Sequence, residues 1–179
     1  MMMTKFRNLG LAFLICTALM AAVSAEEISL GQVTVNLDLE VLEGYTIDVG
    51  DAIEATHCKR PEFYYMIYPV TIESDDGQIE LEVHELDEPM EMTPWVLEHS
   101  LITAGLPSLT PKLEGAGASF TVDGHDAILV TAKDGDKTAY GAIYGPDEVD
   151  GWGRLLFLIS SDLPWDVTEI VFESIEVDA

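Results

Sequence analysis

The chain has 179 residues, of which 33 are Asp or Glu and only 8 are Lys or Arg, so its formal net charge is −25 at pH 7. Nucleic acids and anionic membrane surfaces are bound by Lys and Arg side chains that neutralise phosphates, and this composition therefore argues against both as partners. Cations and basic protein surfaces stay compatible with it. We interpret most of the charge as a solvated acidic surface, of the kind that exported proteins of salty habitats carry.

The first 25 residues have the pattern of a signal peptide. Lys5 and Arg7 give a positive start, residues 9–23 form an apolar core, and Val23-Ser-Ala25 fits a small-residue cleavage site. This pattern predicts an exported, extracytoplasmic protein, secreted or envelope-associated, with one domain over residues 26–179. An uncleaved signal that acts as an N-terminal anchor is one alternative. Lipidation at Cys16 is another, which the large Ile15 before it and its place inside the apolar core disfavour.

The N-terminal part of this domain has the period of strands. Apolar and polar residues alternate through residues 28–42, which predicts one half-buried strand. Glu43-Gly44 predicts a turn, after which residues 45–49 return. Residues 63–73 form an aromatic strand, in which Pro69 indicates an edge position or a bulge.

The middle of the chain predicts a further strand, a loop and a helix. Residues 79–84 alternate, and residues 85–91 have the composition of an acidic loop. Thr93 is placed to cap a helix that has Pro94 at its first position. We expect the apolar side of this helix to be formed by Trp95, Leu97, Leu101 and Ile102.

Residues 119–160 predict a four-strand antiparallel meander. Asp123-Gly124 is a strong signal for a tight hairpin turn, a second turn centres on Gly135, and a loop runs from Gly145 to Gly153. A closing helix should follow, capped by Ser161 or Asp162. Its apolar face is predicted to comprise Leu163, Val167, Ile170, Val171 and Ser174, and a short strand over residues 175–177 ends the chain.

Taken together, these patterns predict a single α+β domain with an antiparallel sheet flanked by about two helices. The hairpin Val122–Ala127 (Val-Asp-Gly-His-Asp-Ala) and the helix ending Phe172-Glu-Ser-Ile175 resemble those of the PsbP-like family, named for an extrinsic protein of photosystem II. The resemblance covers about residues 119–177. It implies the same sheet-and-helix architecture, often on exported proteins that act as assembly or binding factors and not as enzymes, and it carries over no functional residue.

Two acidic turns are the candidate cation sites. One contains Asp75 and Asp76, and the other contains Asp134 and Asp136, but neither continues as an EF-hand loop with its terminal Glu. Weak Ca²⁺ binding is therefore the one cofactor hypothesis. The His residues and Cys58 lack the spacing of a transition-metal site, and Cys58 is either a buried small hydrophobe or an exposed thiol.

The candidate binding surface is the Gly145–Gly153 loop, with Trp152 as its anchor and Asp147 and Asp150 beside it. Trp152 lies between two glycines in an acidic loop and either projects into solvent or folds back on the core. We expect an exported non-catalytic binding or assembly module with a protein partner. A small exported enzyme that uses carboxylates or a cation is one alternative, and a self-associating envelope structural subunit is another.

Overall fold

The computed structural model describes residues 25–57, 63–104, 112–113 and 118–179. The predicted signal peptide, apart from Ala25, lies outside these residues, as do Cys58 and most of the connector after the first helix. The described elements are β1 (Ala25–Leu30), β2 (Val33–Asp38), β3 (Thr46–Val49), β4 (Ile53–His57), β5 (Phe63–Ser74), β6 (Gly77–Glu91), α1 (Pro94–Ala104), β7 (Lys112–Leu113), β8 (Ala118–Val122), β9 (His125–Asp134), β10 (Lys137–Tyr144), β11 (Trp152–Ser161), α2 (Trp165–Glu173) and β12 (Glu176–Asp178).

The strands form two antiparallel sheets. The small sheet has the order β1-β2-β12, and the large sheet has the order β3-β5-β6-β11-β10-β9-β7, with β4 also paired to β5 and β8 to β9. The α+β class with two helices is thus confirmed, and so is the antiparallel meander β8–β11. Neither described helix combines the length and the apolar character that crossing a bilayer requires.

The large sheet has an apolar cluster on each face. One face packs against the small sheet and α2, and this cluster includes Val35, Leu37, Phe157 and Phe172, none of which is exposed. The opposite face packs against α1 through Leu97 and other buried residues. Coverage of both faces explains why β9 and β11 contain nearly continuous apolar runs.

The predicted first strand is in fact a hairpin, and the prediction of one strand over residues 28–42 is wrong. Gly31 turns the chain with φ +65°, a conformation that favours glycine, and its backbone lies against the ring of Tyr68. The second arm ends at Asp38, whose carboxylate accepts a hydrogen bond from the Glu40 amide at 2.9 Å. The predicted alternation holds within that arm, where Val33, Val35 and Leu37 point inwards.

The strand after the turn at Glu43-Gly44, β3, does not pair with β2 before it. It pairs with β5 in the large sheet. The expectation that Pro69 lies at an edge is also wrong, since β5 is an interior strand. An irregularity does occur beside Pro69. Residues 50–52, which connect β3 to β4, lie opposite only residues 68–69 of β5. Gly50 there donates a hydrogen bond to the Pro69 carbonyl at 3.0 Å.

The predicted acidic loop 85–91 is wrong as well, because these residues are the last part of β6. Trp152 pairs with Glu91 and Leu155 pairs with Glu85, so the segment gains backbone hydrogen bonds from β11 despite its charge. The register shifts between those two pairs. Four residues of β6, 86–89, therefore lie opposite the single residue Arg154 of β11, although Leu86 still pairs with Tyr65 of β5.

Both helices form where predicted but differ in detail. The Thr93 hydroxyl accepts a hydrogen bond from the Val96 amide at 3.3 Å, which confirms the α1 cap, whereas Trp95 is 69% exposed and does not belong to the buried side. The side chain of Ile102 lies outside the described residues.

In α2, Pro164 holds the N-cap position without a side-chain hydrogen bond, and Ile170 faces solvent; both differ from the prediction.

Candidate functional site

The connection between β10 and β11 ends in a rigid two-residue turn. Val149 and Trp152 exchange backbone hydrogen bonds of 2.9 and 3.1 Å, which leaves Asp150 and Gly151 as the turn residues. Both turn residues have positive φ, 55° and 84°, as a type I′ turn requires. The side chains of Val149 and Trp152 therefore leave the backbone from defined positions at the end of a short ladder.

Asp147 holds this turn to the sheet. Its carboxylate accepts hydrogen bonds from the amides of Arg154 and Leu155, with shortest distances of 2.9 Å to each. Gly153 is required beside it, because a Cβ at that position would lie 2.7 Å from Asp147 Oδ1. Of the predicted binding residues, Asp147 thus acts as a structural acceptor, whereas Asp150 is exposed at the turn.

Helix α1 begins beside the same turn. The Met92 amide donates a hydrogen bond of 2.8 Å to the Gly151 carbonyl, and Trp95 follows three residues later in the first turn of α1. The exposed fractions are 69% for Trp95, 71% for Val149 and 53% for Trp152. We call these three residues the aromatic tip. Of the two alternatives for Trp152, the ring therefore projects into solvent. Trp95 is a second exposed tryptophan, although the sequence pattern had placed it on the apolar side of α1.

The aromatic tip has an acidic border. Glu91 pairs with Trp152 across the ladder, and Glu148 and Asp150 flank Val149, all with exposed side chains. Trp95 itself stacks on the ring of His99 at a centroid distance of 5.3 Å and an interplanar angle of 5°. An apolar centre with a charged rim is the general plan of a protein-binding surface.

The candidate cation-binding residues lie in two separate turns. Asp75 and Asp76 are exposed in the β5–β6 turn, and Asp136 is exposed in the β9–β10 turn; the side chain of Asp134 lies outside the described residues. Three strand spacings separate the two turns, or about 14 Å. Among the described residues, no three His, Cys, Asp or Glu side chains converge as metal ligands would.

A half-buried polar row on β6 was missed by the sequence reasoning. His84 is buried, with its Nε2 2.6 Å from Glu82 Oε2, and Gln78 donates a hydrogen bond of 2.6 Å to Glu80. Burial, followed by the charges of Glu82 and Asp162, raises the pKa of the Glu80 carboxyl above its ordinary value. The alternating pattern identified this face correctly but did not show that Glu80 and Glu82 are only partly exposed and that His84 is buried.

One hydroxyl in the core is unusual. The side chain of Tyr144 is fully buried beneath His125, at a ring centroid distance of 5.5 Å, and its hydroxyl has no partner in hydrogen-bonding geometry. Asp123 lies close enough to interact with this hydroxyl, but its Oδ2 accepts a hydrogen bond from the Val177 amide at 3.0 Å. Burial first, and then the charge of Asp123, raises the pKa of Tyr144, which keeps the phenol neutral at physiological pH.

Comparison with protein-family models, with curated proteins and with solved structures finds no match to this chain. The resemblance to the PsbP-like family accordingly stays a prediction from the two motifs at residues 122–127 and 172–175, and the fold described above stands on its own geometry.

Proposed function

We propose that this protein is an exported, non-catalytic binding or assembly module of the cell envelope or extracellular space, and that the aromatic tip is its contact surface for a protein partner. The observation that carries the proposal is the exposure of two tryptophans, Trp95 and Trp152, on a backbone that hydrogen bonds hold in place. Export rests on the signal-peptide pattern of the first 25 residues.

The exposed apolar area is large enough to drive association. A tryptophan side chain offers up to about 250 Å² of surface, so the exposed fractions of Trp95 and Trp152 correspond to about 300 Å² together. At about 25 cal/mol per Å², complete burial would contribute about 7.5 kcal/mol before the costs of association. Because the Asp147 hydrogen bonds fix the turn in advance, little additional ordering of Trp152 is needed on binding.

The border of the tip indicates the character of the partner. Carboxylates surround the apolar centre, so we expect an apolar pocket with Lys or Arg at its rim. Tryptophan is enriched among interface residues that dominate binding energy, and losses of 2 kcal/mol or more on truncation are typical of such positions.

The proposal is tested with immobilised full chain and an extracytoplasmic extract of the producing organism. The Trp95→Ser/Trp152→Ser variant is compared with a matched Val49→Ser/Ile170→Ser control, which also removes two exposed apolar side chains but lies elsewhere. We expect the wild type and the control to retain the same proteins quantitatively, and the tryptophan variant to lose at least one of them. Equal retention by all three forms would contradict the proposal.

A further inference from the structure

A separate cleft of about 250 Å³ opens on the large sheet where the small sheet ends. Its lining includes Glu54 of β4, Tyr64 and Met66 of β5, and Glu85 and Asp87 of β6. We call these five residues the side groove. Tyr64 is half exposed, so a ligand can reach the ring from solvent.

The strand register fixes the shape of the side groove. Glu54 pairs with Met66, and Met66 pairs with Glu85, so these three side chains form one row on one face of the sheet. Tyr64 is two residues from Met66 along β5 and projects from the same face. Asp87 lies in the irregular stretch of β6 and also lines the cleft. Met66 and Tyr64 therefore form a floor between two carboxylate banks, whose backbones are about 10 Å apart across two strand spacings.

One bank of the groove is held rigidly. Gln32 donates a hydrogen bond of 2.5 Å to Glu85 Oε1, and the Tyr68 hydroxyl donates one of 3.3 Å to Glu85 Oε2. Burial, followed by the charge of Glu85, raises the pKa of Tyr68, which keeps its hydroxyl protonated as the donor. Gln32 belongs to the β1–β2 turn, which packs on the Tyr68 ring through Gly31.

We propose that the side groove binds an arginine side chain of a partner protein. A guanidinium is planar, stacks on an aromatic face and pairs with carboxylates through directed N–H donors. The Tyr64 ring supplies the face, the carboxylates on the two banks supply the acceptors, and Met66 lies where the methylene stem would pass. This goes beyond the proposed function, because the groove lies apart from the aromatic tip and takes one particular side chain, a guanidinium, between its two banks.

The test uses NMR titrations of the full chain with three blocked tripeptides, Ala-X-Ala, in which X is arginine, lysine or citrulline. Citrulline keeps the shape of arginine and removes its charge. We expect saturable shifts at the amides of Tyr65, Met66 and Leu86, with binding of the arginine peptide at least tenfold tighter than that of the citrulline peptide. The lysine peptide should bind at least threefold more weakly than the arginine peptide, since it cannot stack.

Two variants and a control locate the site. Glu54→Gln/Asp87→Asn should weaken arginine binding at least fivefold, whereas the control Asp76→Asn/Glu173→Gln, with the same change in net charge at exposed positions elsewhere, should leave it unchanged. Tyr64→Leu should remove the preference for arginine over lysine. Each variant is first checked for an unchanged amide spectrum outside the groove.

Equal binding of the citrulline peptide, equal weakening by the control variant, or shifts without saturation would each overturn the arginine site. These results would not bear on the proposal that the aromatic tip binds a partner, because no groove residue belongs to the tip. Conversely, loss of partner binding in the tryptophan variant with normal arginine titration would support the tip independently of the groove.

Discussion

Replacing Tyr144 with Phe should stabilise the protein, although the residue lies at the centre of the core. Its hydroxyl is fully buried, and the nearby Asp123 carboxylate lies outside good hydrogen-bonding geometry, so the folded state bears much of the desolvation of a polar group that water satisfies in the unfolded chain. An unsatisfied buried polar group costs about 1–3 kcal/mol. The phenylalanine ring retains the contacts with His125 and Phe157, and only a small void replaces the hydroxyl oxygen.

We therefore expect the free energy of unfolding to rise by about 1 kcal/mol in Tyr144→Phe, which corresponds to an increase in Tm of about 2–4 °C for a domain of this size. Urea denaturation at pH 7, followed by circular dichroism, measures the change. Tyr45→Phe is the matched control, because the Tyr45 hydroxyl donates a hydrogen bond of 2.6 Å to Glu26 and its loss should not stabilise. A fall of 1 kcal/mol or more in Tyr144→Phe would refute the reasoning and show that the hydroxyl bonds to Asp123.

Three further predictions concern a turn, the aromatic tip and a charge. Gly31→Ala should lower the free energy of unfolding by about 2 kcal/mol or more, because φ is +65° and the new Cβ would lie 2.5 Å from the Tyr68 ring. Urea denaturation measures the change, and an unchanged midpoint would contradict this prediction. Asp147→Ala should cost about 1–3 kcal/mol by leaving two amides without their acceptor and should raise the protease sensitivity of the turn; Glu148→Ala, the control at an exposed neighbouring position, should do neither. Glu80→Gln should stabilise the protein at pH 7, because burial raises the native pKa of Glu80 and its ionised form is therefore disfavoured in the folded state. That gain should shrink as the pH falls through the native pKa, and a gain that is constant across the pH range would refute it.

The C-terminal half of the fold was predictable because its signals are local. Asp123-Gly124 defines a tight turn through positive φ at both residues, and the apolar strands that follow pair with their neighbours in the chain. Helix α1 also begins where Thr93 and Pro94 indicate, since a cap acts within one turn. Such signals need no information from the rest of the chain.

The N-terminal half was harder because its pairing is long-range. Apolar alternation runs up to and beyond the hairpin turn at Gly31, so the turn was hidden within one apparent strand. Residues 85–91 appear to be a loop by composition, yet β11, some 65 residues later, supplies their hydrogen bonds. Pairing of this kind depends on tertiary context, which overrides local preference.

The candidate site was predictable in part for the same reason. Glycines on both sides of Trp152 left open whether its ring projects into solvent or folds back on the core, and its 53% exposure decides for solvent. The role of Asp147 depends on backbone amides seven and eight residues further along, and the exposure of Trp95 depends on which side of α1 meets the sheet. Neither fact is encoded in residue spacing alone.

We propose the aromatic tip as the surface to which a partner protein binds. The most direct measurement places the photoreactive amino acid benzoylphenylalanine at position 149 of the full chain in the producing cells, with position 170 as the exposed control site. Irradiation should yield a discrete adduct with one protein from position 149, and Trp152→Ser should abolish that adduct. Identical products from positions 149 and 170, or an adduct that persists unchanged in Trp152→Ser, would contradict the account.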